Sequence, residues 1–329
     1  MPWWRALLQY GFLALVLVFM GLYIADQWAM INQSSVTINW AWLILAQVLF
    51  TLGMGLFPFW GRQLVYRMDG QIAVPHMLRV FYLSMVAKYL PGSIWSLPSR
   101  SYLYFRYGLT AEQSLAVMIW EAGTMTCGAI LLAIIAIPLL TGSYYLGLIW
   151  GLFGAFLVAF CAVALVLPRP WWQAMLVHWR DRLGTETAPH TWRQSASNLL
   201  DKLANLLASR QLVPAWPTLA LFIFGYAAIW CVIGLGFAAI VLALGVTLTL
   251  FEALQLAALF AMGWAAGFLV LIAPSGIGVR DVILAAGVGM FAESPIPFLV
   301  AVIARLCWTG AELCGLLVAL WVRRPLTTL

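Results

Sequence analysis

Six stretches of this chain run for about twenty residues or more with two charges or fewer in each: residues 6–25, 39–60, 110–137, 144–167, 216–243 and 297–322. The hydrocarbon core of a bilayer is about 30 Å thick, and a helix needs roughly 20 apolar residues to cross it. Lipid offers the backbone no hydrogen-bond partner, so each such run must close its own bonds as a helix. An all-α polytopic membrane protein is therefore the expected fold class. Composition agrees, with 64% hydrophobic and 9% charged residues, where soluble domains carry about a quarter charged residues. The longest polar segment, 168–214, is too short for an independent enzyme domain. The first run follows Arg5 and lacks a clear small-x-small cleavage site, so it reads as a retained span.

Two further apolar regions, 72–107 and 250–291, are interrupted. The interruptions read YLPGSIW at 89–95, with Pro91 and Gly92, and APSGIG at 273–278, with Pro274, Gly276 and Gly278. Each region is expected to form a broken or re-entrant helical hairpin, because irregular backbone at membrane depth is tolerated only where protein or water covers it. The order span, span, hairpin, span then occurs twice, in 1–143 and in 144–329. Three full spans per half give the halves opposite topology. Inverted repeats with paired interrupted helices point to a secondary transporter with a site near the midplane.

Basic residues orient the chain. Arg5, Arg62, Arg67, Arg79, Arg106, Arg169, Arg180, Arg182, Arg193, Lys202, Arg210, Arg323 and Arg324 fall in one set of loops and tails. The opposite loops, 26–38, 138–143, 244–249 and 292–296, contain no Lys or Arg. The positive-inside rule places both termini in the cytoplasm. The net charge of +6 follows from this asymmetry and calls for no nucleic-acid partner. Within 168–214, Trp172, Met175, Leu176, Trp179 and Leu183 alternate with basic residues at helical spacing, the pattern of an interfacial amphipathic helix.

The remaining cations, Lys88, Arg100, Arg280 and Arg305, lie within apolar stretches, as do Glu121, Asp281 and Glu312. A charge near the bilayer centre costs at least about 2.5 kcal/mol on insertion scales, so such residues face a cavity or a partner. One reading is internal pairing, with Glu121 joined to Arg305 or Arg280. Another is function. Arg100 follows the first break and Arg280 the second, so two arginines would converge from opposite sides. A guanidinium fork suits a phosphate, and short helices starting at the breaks add free N–H groups. Lys88 reads as a snorkelling residue. Gly147-xxx-Gly151 and Gly263-xxx-Gly267 read as close-packing faces. The five cysteines form no CxxC and the three histidines no ligand spacing, so neither a metal nor a cofactor is expected.

With these residues in view, the chain resembles the lysylphosphatidylglycerol synthase/flippase transmembrane family over about 40–322. PSGIGVRD (274–281) is similar to that family's Pro-x-Gly-x-Gly-x-Arg-Glu motif, with Asp281 in place of Glu. YLPGSIWSLPSR (89–100) resembles its Pro-Gly motif followed by Arg, and Glu121 matches an acidic residue in the next span. Trp95 and Ser96 stand where many members show Gly and Glu, and Ala122 where Arg commonly follows the acid. The resemblance implies handling of lipids in the bacterial inner membrane, with no soluble aminoacyl-transfer domain in the matched region. A flippase for a phospholipid or a polyprenyl-phosphate-linked lipid is the first expectation. A membrane-embedded lipid glycosyl- or phosphotransferase, and a non-catalytic partner of a lipid-modifying enzyme docking through 168–214, are the alternatives.

Overall fold

The computed structural model describes residues 37–89, 95–134, 214–269, 278–293 and 295–322. Among these the structure is all-helical. The eight α-helices are α1 (Trp40–Arg67), α2 (Val74–Val86), α3 (Ser96–Arg106), α4 (Ala111–Ala133), α5 (Trp216–Ala243), α6 (Leu250–Leu269), α7 (Val279–Val288) and α8 (Ile296–Trp321). A 3₁₀ turn, Ala87–Tyr89, extends α2. The expected spans 6–25 and 144–167, the amphipathic segment 168–214 apart from its last residue, and Pro91, Gly92, Pro274 and Gly276 lie outside the described residues.

Five helices, α1, α4, α5, α6 and α8, are long and apolar enough to cross a membrane. This is a multi-pass membrane protein. At 1.5 Å per residue, the 28-residue α1 and α5 each extend about 42 Å, beyond the hydrocarbon thickness. Both are apolar on every side, as expected of helices that meet protein on one face and lipid on the other. On α1, Ala46, Phe50, Gly53, Met54 and Phe57 are buried, while Trp40, Ile44, Val48 and Leu52 face outward.

Helix α5 is the central post and packs against α1, α4 and α6. Its approach to α6 needs glycine, since a Cβ at Gly234 would overlap the backbone of Ala257. Likewise, a Cβ at Gly128 of α4 would lie 2.8 Å from the Ala227 amide nitrogen of α5. Close backbone approach of this kind drives helix association in lipid, where burial of apolar surface gives no net gain.

Both interrupted regions fold back on themselves. The rings of His76, near the start of α2, and Tyr107, just after α3, are 5.1 Å apart. In the second region, Gly263 of α6 lies against Arg280 and Leu284 of α7, and Gly287 of α7 against Leu259 of α6, so these helices run antiparallel. The two regions differ in length. The arms of the first have 13 and 11 residues, but α6 alone has 20, enough to span the hydrocarbon core by itself. The expectation of two alike hairpins missed this because α6 was grouped with the break rather than measured alone. A second difference concerns Arg79, counted above among loop residues. It is buried in α2, where Nη1 donates to the Ala319 carbonyl at 2.9 Å and also to that of Val322. A cation there satisfies the free carbonyls and the negative dipole end of α8.

Candidate functional site

Two charged centres form inside the bundle. The first is built by α2, α3 and α4. Thr110 and Gln113 make a reciprocal capping box that fixes where α4 begins, and so the depth of Glu121. Arg100 and Tyr104 are four residues apart on α3 and face the same way. Arg100 Nη1 donates to Glu121 Oε1 at 2.8 Å, and Nε donates to Ser84 Oγ at 3.0 Å. The Tyr104 hydroxyl donates to Glu121 Oε2 at 2.7 Å. Both carboxylate oxygens are thus engaged. Gly61 of α1 admits the carboxylate, for a Cβ there would stand 3.1 Å from Oε1. The guanidinium also rests 4.5 Å from the Phe81 ring centroid. Solvent barely reaches this pair, whose side chains are 5% and 1% exposed. Near it, the Tyr226 hydroxyl is buried without a hydrogen-bond partner among the described residues.

The second centre is built by the 3₁₀ turn, α7 and α8. Arg305, Trp308 and Glu312 fall at i, i+3 and i+7, one stripe of α8. Arg305 Nη2 donates to Asp281 Oδ2 at 2.9 Å, while that oxygen accepts from the Gly278 amide at 3.1 Å. Asp281 therefore occupies the start of α7 itself, a position foreseen as open to an anion. Gly278 has φ +87°, a conformation that other residues avoid, so this glycine is needed to enter α7. Lys88 forms an ion pair with Glu312, which also accepts from the Trp308 indole N–H. The Trp308 ring centroid is 5.7 Å from Lys88 Nζ and 5.0 Å from Arg280 Cζ. Arg280 Cζ also lies 5.2 Å from the Phe260 ring. One indole thus receives cations from both interrupted regions. Such contacts are worth about 0.5–2 kcal/mol each, more when water is excluded.

A continuous run of ring contacts links the centres: Phe81 on Phe57 at 5.8 Å, Phe57 on Trp230 at 5.2 Å, and Trp230 on Trp308 at 6.1 Å. Arg100 caps one end of this run and Arg280 the other. Among the described residues, no three His, Cys, Asp or Glu side chains gather where they could hold a metal.

This arrangement lies within a match to the family described as "Lysylphosphatidylglycerol synthase TM region", which extends over residues 6–319. The chain belongs to that family. Comparison with curated proteins and with solved structures returned no match.

Within this family member, the two stretches that carry the resemblance end in different centres. YLPGSIWSLPSR delivers Arg100 to Glu121, and PSGIGVRD delivers Arg280 and Asp281 to Trp308 and Arg305. The acids are partnered otherwise than the pairing expectation had them. Glu121 joins Arg100, not Arg305 or Arg280, and Arg305 joins Asp281. The residue of the first region that shares Trp308 with Arg280 is Lys88, expected only to snorkel. Its signal was its place just before the break. Trp308 was missed as well, although Arg-x-x-Trp-x-x-x-Glu marks one polar stripe on an apolar helix.

Proposed function

We propose that this protein translocates a phosphate-bearing lipid across the bacterial cytoplasmic membrane, with the phosphate held at the second centre. The observation that carries the reading is the convergence of Lys88 and Arg280, one from each interrupted region, on Trp308. Arg280 and Lys88 attract the phosphate. Arg305 supplies a guanidinium fork beside it, and Asp281 sets the fork's direction. Arg100 and Glu121 hold the first hairpin in shape around the site, and Gly278 lets backbone approach the headgroup. Acyl or isoprenoid tails stay in the bilayer.

The same reading takes the interrupted regions as re-entrant hairpins of an inverted repeat, opening to opposite faces, with both termini cytoplasmic. Two observations support it. The start of α2 meets the end of α8, and the Asn39 amide before α1 donates to the last-turn carbonyl of α5 at 2.8 Å. The first region then opens at one end of the bundle, while α6 begins at the other. A role in lipids is what the family suggests. Translocation by this centre is tested in liposomes holding the purified protein and fluorescent phospholipids. Arg280→Gln should abolish movement of the lipids that the wild type moves. Wild-type rates in that variant, for every lipid tried, would overturn the assignment.

A further inference from the structure

Among the described residues, the Tyr226 hydroxyl has no hydrogen-bond partner, although Tyr226 is fully buried. A buried polar group left unpaired penalises the conformation that holds it, and so favours another in which it is paired. The ring is held by stacking on Phe57 at 5.9 Å, and the hydroxyl lies within electrostatic reach of Glu121 and Arg100. Tyr226 and Glu121 stand on helices that are locked together. A Cβ at Gly128 of α4 would lie 2.8 Å from Tyr226 Cβ on α5, and Trp230 Nε1 of α5 donates to the Met125 carbonyl of α4 at 3.1 Å. The donors to the Glu121 carboxylate come instead from α3, through Arg100 and Tyr104, one turn apart. An arm of 11 residues that carries both donors takes both away when it moves.

Resting on the translocation reading, which requires a second conformation, we propose that Tyr226 is the partner of Glu121 in that conformation. When the first hairpin draws away from α4, the carboxylate turns and accepts a hydrogen bond from the Tyr226 hydroxyl. Gly61 leaves room beside the carboxylate, for a Cβ there would stand 3.1 Å from Oε1. Arg100 keeps its bond to Ser84 and its place on the Phe81 ring, which both belong to the hairpin. A buried carboxylate stripped of every donor is strongly unfavourable, and the waiting hydroxyl removes that obstacle. The idle hydroxyl opposes the described conformation and the new bond stabilises the other, so both effects favour release. The first centre is thus a brace with its release built into α5.

The test is Tyr226→Phe in the whole purified protein, with three measurements. Its melting temperature should equal or exceed that of the wild type, because the hydroxyl holds nothing in the described conformation. Movement of fluorescent phospholipids in liposomes should slow roughly tenfold, as the loss of about 1.4 kcal/mol from the second conformation does. The third measurement traps that conformation. Val117 is buried on α4, four residues before Glu121 and so on the same stripe. With the five native cysteines replaced by alanine, Val117→Cys should react with a maleimide only when the hairpin withdraws. Tyr226→Phe should slow that reaction roughly tenfold, and Tyr104→Phe, which weakens the described conformation, should speed it. The opposite signs separate a shifted equilibrium from a folding defect. Trapping or transport at the wild-type rate in Tyr226→Phe overturns the inference. A melting temperature several degrees below the wild type does so too, for it would mean that the hydroxyl is already bonded, as to a buried water. Each of these leaves the translocation reading standing. A wild type that moves no lipid overturns that reading, and the trapping rates then decide the Tyr226 inference by themselves.

Discussion

The Arg100–Glu121 centre and the Lys88–Arg280–Arg305 centre answer the same physical problem, charge inside an apolar bundle, in opposite ways. In the first, a single cation meets a single acid, both carboxylate oxygens are bonded, and solvent is excluded. In the second, Lys88 pairs with Glu312 and Arg305 with Asp281, and the Arg305 and Asp281 side chains keep 15% and 23% of their exposure. A closed, neutral, fully bonded cluster has nothing to offer a ligand and everything to lose when one member is removed. A cluster that solvent still reaches is a weaker brace but fits a partner that comes and goes. On the translocation reading, the difference gives the first centre the task of holding the hairpin and the second that of binding. It also explains why one sequence can place two similar-looking arginines after two similar-looking breaks for different ends.

The sharpest way to break this comparison is Glu121→Ala. It leaves Arg100 buried with no opposing charge, which typically costs about 3–5 kcal/mol. The thermal transition of the detergent-solubilised protein should fall well below that of the wild type. A variant as stable as the wild type would mean that the first centre is not a brace. Next in size is Tyr104→Phe, which removes one hydrogen bond to a charged oxygen and leaves the ring's packing intact. A loss of about 1.5–3 kcal/mol is expected in the same melt. Gly234→Ala tests the frame common to both centres. Its Cβ would collide with the α6 backbone at Ala257, so α5 and α6 must separate, at about 1–3 kcal/mol. That change should slow transport and lower the melting temperature together, because α6 carries Phe260 to Arg280.

The four expected spans that fall largely on described residues were legible because hydropathy depends only on composition along the chain. The apolar run 216–243 coincides with α5, and 297–322 differs from α8 by one residue at each end. Which charge meets which was not legible, because that depends on how each helix is rotated about its axis and how deep it sits. Arg100 and Glu121 lie on consecutive helices joined by the short link 107–110, so an antiparallel pair brings their levels near each other. That local rule would have favoured Arg100 over the distant arginines. Nothing comparable could have joined Lys88 to Glu312, which are 224 positions apart and meet only because α8 packs on α2.

The smallest expected stability effect discriminates best between the two centres. Arg305→Gln breaks the bond to Asp281, yet that carboxylate stays partly solvated and keeps its bond from the Gly278 amide. The loss should be on the order of 1 kcal/mol or less, the usual value of a wet ion pair. In a protein of this size it should move the melting temperature by only a few degrees. Transport should nevertheless fall strongly, since the phosphate loses a guanidinium. Removal of Glu121 should do the reverse, with destabilisation leading and lost transport following from it. If Arg305→Gln melted as low as Glu121→Ala, the second centre would be a brace like the first rather than a site for a lipid.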